Sequence, residues 1–259
     1  MLWCIQKSSS SDSPAILNEA CTAAGFDTFY FETQANALPD VGQDQPVIFY
    51  GSCFFIRNVA RSRRWKPGVY FDEEIFRFSQ YMAHYGTRML NHDAYFTTLE
   101  ELSTTDLSKE EHLFIRSDSD LKELPGYLWP TQELILFIEK LKSSGKNNAL
   151  KTPIVVAPRK RLEYEWRLFI VDNQVSSGSQ YGFYGDLELS PIVPHEVVAF
   201  AEEIVAIWSP ARAFVIDIVS IKSDLFVMEL NGINTSGFYR ANVTKIITDL
   251  ANGIEATLV

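Results

Sequence analysis

Between Phe214 and Tyr239 the chain reads FVIDIVSIKSDLFVMELNGINTSGFY, which places two carboxylates and an amide where one hairpin would gather them. Apolar residues alternate around Asp217 in the first half and around Glu229 in the second, and Lys222-Ser223-Asp224 between them supplies turn residues. Folding about Ser223 sets Asp217 opposite Glu229, with Cβ atoms about 5 Å apart, a distance at which like charges repel. Asn231 falls on the same face, because strand side chains alternate with period two. Such a cluster among Val215, Ile216, Ile218, Val227 and Met228 calls for a cation, and hard divalent ions take oxygen ligands of this kind. The pattern predicts a magnesium site held by Asp217, Glu229 and Asn231. It also suits a plain surface hairpin whose charged face is solvated or paired with lysines.

The sequel favours a site. Gly232 to Tyr239 is a loop with two glycines, followed by a helical pattern at Val243, Ile246, Ile247 and Leu250. Backbone N–H groups in such a loop can hold a carboxylate or phosphate. Glu165 and Arg167 share one face of a strand whose other face, Trp166, Leu168 and Ile170, reads as core. The arginine needs an anion, either a neighbouring carboxylate or a phosphate oxygen. Arg116 and Lys122 bracket a loop after another strand, a place for cations to reach phosphates or simply a solvated surface. His84, His92, His112 and His195 have no metal-ligand spacing, and the chain lacks a GxSxG elbow, a GxxxxGK[ST] loop and a GxGxxG fingerprint. The basic run from Arg57 to Lys66 reads as a solvated loop or as a dock for an acidic substrate.

The elements that must position these residues form an α/β start and an α+β remainder. Met1–Gln6, Thr28–Glu32 and Val47–Tyr50 read as strands, with a helix opening at Ser13-Pro14 and closing at Gly25. Asp72 is expected to cap a helix carrying Ile75, Phe78, Gln80, Tyr81 and Met82. Leu113–Arg116 reads as a strand, Thr131–Leu141 as an amphipathic helix, and the polar Lys146–Asn148 as a break between subdomains. Pro153–Ala157 and Glu165–Val171 are strands, the latter joined to Gln174–Tyr181 through Asp172-Asn173, and Pro194–Trp208 is a helix. The expected division is 1–95, then 96–259, the latter split into 96–148 and 149–259.

A chain of 259 residues with 46% hydrophobic content can bury a sizeable core. Its net charge of −10 argues against a broad nucleic-acid or anionic-membrane surface. Cys4, Cys21 and Cys53 form no disulfide framework or close ligand spacing, which suits a reducing compartment. No apolar run approaches the ~20 residues of a membrane span, and a cytoplasmic protein is expected.

Taken together, IRSDSDLK (115–122), PIVVAP (153–158), EWRLFIVDNQVSSGSQY (165–181), FVIDIV (214–219) and VMELNGINTSGFY (227–239) resemble the ATP-grasp superfamily, in particular a branch of small proteins from bacteria and their phages. YGS (50–52), KPGVYFDEE (66–74) and LNHDA (90–94) share the likeness. The resemblance implies a Rossmann-like N-terminal domain followed by two α+β subdomains that grip ATP. It implies an ATP- and magnesium-dependent ligase that joins a carboxylate to an amine or thiol through an acyl phosphate. A small-molecule kinase and a catalytically silent nucleotide-binding or interaction module are the alternatives. By position, Asp217, Glu229 and Asn231 would hold magnesium, and Arg116, Lys122 and Arg167 the phosphates, with Arg116 and Arg167 catalytic. The backbone of Val155, Val156 and Ala157 would receive adenine, Glu165 would touch the ribose, and Ser236 and Arg240 would bind a small-molecule, amino-acid or peptide substrate. Two features depart from many members: Arg116 stands at a common lysine position, and Ser117–Leu121 lacks the glycines of a phosphate-covering flap.

Overall fold

The computed structural model describes residues 1–32, 37–145 and 147–255. In chain order the elements are β1 (Leu2–Gln6), α1 (Ser13–Ala23), β2 (Asp27–Phe31), β3 (Val47–Tyr50), α2 (Cys53–Ser62), β4 (Pro67–Gly68), α3 (Phe78–Tyr85), β5 (Tyr95–Thr98), α4 (Leu99–Leu102), β6 (His112–Ser117), β7 (Tyr127–Pro130), α5 (Thr131–Ser143), α6 (Asn147–Leu150), β8 (Pro153–Pro158), β9 (Tyr164–Val171), β10 (Gln174–Phe183), β11 (Asp186–Ser190), α7 (His195–Ile207), β12 (Ala213–Ile221), β13 (Asp224–Asn231) and α8 (Val243–Glu255). They build three sheets: a parallel one in the order β2-β1-β3-β4, an antiparallel one in the order β5-β8-β6-β7, and an antiparallel one in the order β11-β10-β9-β12-β13. The fold is thus α+β with an α/β N-terminal part, as expected.

Local chemistry accounts for most boundaries. Pro14 lies in the first turn of α1, where its missing N–H costs nothing. The two-residue turns of the five-stranded sheet place both residues at positive φ: Asp172-Asn173, Tyr184-Gly185 and Lys222-Ser223. Such turns match the right-handed twist of the strands they join. Along one face of β9 and β12 the character changes with distance. Phe169, Val171, Ala213 and Val215 pack with β1, β3, α1 and α8 in one core, and the next inward position on each strand is charged, Arg167 and Asp217. The opposite face, with Leu168, Ile170, Phe214 and Ile216, is covered by α7 and α3.

Three expectations need correction. The Arg57–Lys66 run is not a loop throughout: Arg57–Ser62 belong to α2, which buries Phe55, Ile56 and Val59 and is capped by the Ser52 hydroxyl accepting from Phe55 N–H. Asp72 caps a turn, accepting from the N–H groups of Glu74 and Ile75, whereas α3 begins only at Phe78. Its first N–H groups go to Asp118, whose main-chain carbonyl accepts from Phe78 N–H at 2.8 Å and whose side chain accepts from Ser79 N–H at 2.8 Å. The crossing between the antiparallel sheets falls between Pro158 and Tyr164, because β8 pairs with β5 and β6; residues 147–150, near the expected break, form α6, and Lys146 lies outside the described residues.

Candidate active site

Sheet register sets the carboxylates. Arg167 on β9 pairs directly with Asp217 on β12, and Asp217 pairs with Glu229 on β13, so three strands present Arg167, Asp217 and Glu229 in one row. The expected Asp217–Glu229 apposition is therefore present, and arginines resolve its repulsion. Arg167 grips Asp217 bidentately, Nε to Oδ1 at 2.8 Å and Nη2 to Oδ2 at 2.7 Å. Glu229 takes Arg116 from β6 of the other antiparallel sheet, Nη1 to Oε2 at 2.6 Å. Arg116 and Asp217 are almost wholly buried, and such buried pairs are held by both charge and geometry.

Asn231 locks the row. Its Nδ2 donates to Asp217 Oδ2 at 3.2 Å and Glu229 Oε1 at 3.0 Å, and its Oδ1 accepts from Lys122 Nζ at 2.9 Å. Burial by itself would raise the Glu229 carboxyl, but Arg116, Lys122, the Asn231 amide and Arg167 overcome it and hold it down at about 2. Burial pushes Asp217 upward against the pull of Arg167. Burial also raises Glu165, which lies over Gly182, where an added Cβ would meet its carboxylate at 2.6 Å. Tyr181 and Tyr239 stack on each other at 4.9 Å and flank the Arg167 guanidinium, at 5.7 and 5.1 Å from their centroids.

Two carboxylates and one amide converge in a single cluster, and all three groups offer hard oxygens, since rotation of the amide would present its Oδ1. The donor set fits magnesium. Among the described residues no three His, Cys, Asp or Glu side chains gather to hold a metal, so a cation here would rest on two carboxylates and an amide. Substrate oxygens and water commonly complete such a magnesium shell.

A cavity of about 740 Å³ lies between the two antiparallel sheets, lined by Phe114, Leu128, Met228, Tyr184 and the linker Pro158–Leu162. It adjoins the charged row. Phe114 precedes Arg116 by two residues on the same face of β6, and Met228 is next to Glu229 on β13. Val155, Val156 and Ala157 do not line it: Val155 and Val156 are paired on both edges, with Phe96 and Arg116 and with Tyr95 and Ile115, and all three are buried. The backbone bordering the cavity begins at Pro158. A larger cavity, about 820 Å³ between residues 102–112 and α5, lies away from these groups.

The remaining candidates separate. Ser236 is buried and donates its hydroxyl to Gly232 O, and Arg240 is exposed with its main-chain N–H on Ser179 Oγ, so neither joins the charged row. Ser117–Leu121 is packed, with Ser117, Asp118 and Asp120 buried, and is not an open flap. Sequence reasoning misses three residues. Tyr81 reads as one member of a helical stripe, yet its hydroxyl accepts from Arg116 Nη1 at 3.4 Å. Asn234 fastens the site loop to the parallel sheet, donating to Phe49 O at 2.6 Å and accepting from Tyr70 N–H at 2.8 Å. Asp120 carries a buried Oδ1 without a hydrogen-bond partner. Alternating Ser and Asp after a strand reads as solvated turn, which hides it.

Residues 63–251 match a family model of the ATP-grasp domain, the third family of its clade. Among solved structures, D-cycloserine synthetase DcsG superposes with a TM-score of 0.65 at 12% identity, covering 98% of this chain and 100% of that one. D-alanine–D-alanine ligase from Bacillus anthracis complexed with ATP gives 0.63 at 12% identity, covering 97% and 95%. The ATP-grasp ligase PsnB, complexed with a phosphomimetic variant of its minimal precursor, Mg and ADP, gives 0.58 at 14% identity, covering 97% of each. No curated protein sequence matches. No helix among the described residues is long and apolar enough to cross a membrane. With three sheets in this order and the family model spanning most of its length, the chain belongs to the ATP-grasp family.

Proposed function

We propose that this protein is an ATP- and magnesium-dependent ligase that activates a carboxylate as an acyl phosphate and transfers the acyl group to an amine or thiol. The observation that carries the reading is the interlocked set Asp217, Glu229, Asn231, Arg116, Arg167 and Lys122 at the end of a cavity between two sheets. That ligases stand among the similar folds supports it.

Each residue has a physical task. Asp217, Glu229 and Asn231 would hold magnesium, which when bound neutralises phosphate charge and orients the terminal phosphoryl group. Lys122 hydrogen-bonds a neutral amide, so its charge is the one most available to phosphate oxygens. Arg116 and Arg167 keep the carboxylates ionised and aimed, and add positive charge where the phosphates would lie. Phe114 and Met228 offer apolar contact to a base, and Pro158–Leu162 its polar edge. None of these groups is a nucleophile. The reaction needs none, since positioning and charge stabilisation carry phosphoryl transfer. Glu165 is placed to touch a ribose or to hold its neighbours, while Ser236 and Arg240 would serve the substrate side only indirectly. The active unit is expected in the cytoplasm, dividing functionally into 1–95 and 96–259.

The test supplies MgATP, hydroxylamine and each of the amino acids or short peptides in turn, and reads ADP and hydroxamate. Donor-dependent hydroxamate supports the ligase. A phosphorylated small molecule in its place indicates a kinase, and ATP binding with no product from any donor indicates a silent module.

A further inference from the structure

Asp120 is 3% exposed, in the loop between Arg116 and Lys122, yet no mechanism above uses it. Its Oδ2 accepts from Gly232 N–H at 3.3 Å, and its Oδ1 is buried with no hydrogen-bond partner. Among the described residues it forms no ion pair. The nearby cations are committed elsewhere, Arg116 to Glu229 and Lys122 to Asn231. A buried carboxylate with one weak backbone bond is an expensive arrangement, which a proton or a cationic ligand would relieve. Its surroundings fit a small cationic group: the Cys53 thiol at the start of α2 and Thr235 of the site loop lie beside it. Asp120 also sits on the parallel-sheet side of Lys122, beyond the phosphate-holding groups, where an attacking nucleophile would stand.

We propose that Asp120 receives the ammonium group of the amine acceptor through Oδ1, and so selects a primary amine over a thiol or water. This rests on the ligase reading. In the transfer step the ammonium gives one proton to Asp120, the amine nitrogen attacks the acyl carbon, and the C–O bond to phosphate breaks. Phosphate leaves with that electron pair, and the second nitrogen proton passes to solvent as the amide forms.

The test compares the full-length protein with Asp120→Asn, which keeps the shape and the acceptor for Gly232 N–H. With MgATP and a productive donor, two acceptors are used near neutral pH: methylammonium, which is charged, and hydroxylamine, which is neutral. The expected result is a KM for methylammonium raised about tenfold or more, in line with loss of a charge-assisted hydrogen bond, with hydroxamate formation nearly unchanged. An unchanged methylammonium KM, or equal losses with both acceptors, overturns the assignment. Melting of the wild type with MgATP supplies a reading independent of turnover and of the variant's folding. Methylammonium should stabilise the protein and tetramethylammonium should not; equal effects overturn the assignment. If the wild type makes no hydroxamate with any donor, the ligase reading fails, and selective stabilisation by methylammonium still decides whether the ammonium site exists.

Discussion

Arg116 and Glu229 stand 113 residues apart in the chain and meet at 2.6 Å, Nη1 to Oε2, closing one antiparallel sheet onto the other across the site. The contact is both structural and electrostatic, because Arg116 is almost wholly buried and Glu229 mostly so. Arg116→Ala leaves Glu229 buried without its cation. It should cost about 3–5 kcal/mol of stability, measured by urea unfolding, and remove turnover. Arg116→Lys should keep more of the fold than of the activity, since an ammonium cannot reproduce the guanidinium's contacts with Glu229, Tyr81 and Ser117 O.

Two buried carboxyls impose opposite pH slopes. Glu229 is held at about 2, below the ~4.3 of an unfolded chain, so its contribution is present above that unfolded value and is lost as pH falls towards about 2. Asp120 is raised to about 7, first by burial, above the ~3.9 of an unfolded chain. Its contribution is therefore complete below ~3.9 and lost as pH rises through about 7. Melting temperature against pH, without nucleotide, should show Glu229→Gln flattening the acid limb and Asp120→Asn flattening the fall between about pH 4 and 7.

Met228 is partly exposed at the cavity wall beside Glu229. Met228→Trp should fill space meant for a base, while the fold survives because no core position is enlarged. Stabilisation of the variant by MgATP should be lost with its own melting temperature nearly unchanged. Differential scanning fluorimetry reads both.

Asn234 ties three segments together: the end of β3, Tyr70 after β4 and the loop following β13. Asn234→Ala leaves Phe49 O and Tyr70 N–H buried without partners, at about 1–3 kcal/mol for each group. Urea unfolding should show that loss. Hydrogen exchange should show faster exchange in residues 232–237 than in β9.

The strands of the charged row are legible in the sequence because each half of 214–231 alternates cleanly and the turn residues between them leave one register. Arg167 visibly needs an anion, and Asp217 opposite it supplies one. What the chain alone conceals is contact between distant segments. Arg116 reads equally well as a solvated cation until β6 is brought over β13. Asp118 reads as part of a polar turn, although it caps α3, and without it the helix start falls too early, at Asp72. In α2 the apolar stripe of Phe55, Ile56 and Val59 is short, and the arginines among them suggest a loop. The family resemblance puts adenine on Val155–Ala157, but a central strand paired on both edges has little backbone left to offer a ligand, and the opening begins where pairing ends at Pro158.

In the proposed reaction Asp217 and Glu229 hold the magnesium that binds ATP to this chain, and every other role depends on it. Isothermal titration of ATP into the wild type and into Asp217→Asn/Glu229→Gln, each with and without magnesium, measures this. The wild type should bind tightly only when magnesium is present, and the double variant, folded by circular dichroism, should bind weakly whether or not magnesium is added. Equal magnesium-dependent affinity in the two proteins would refute the assignment.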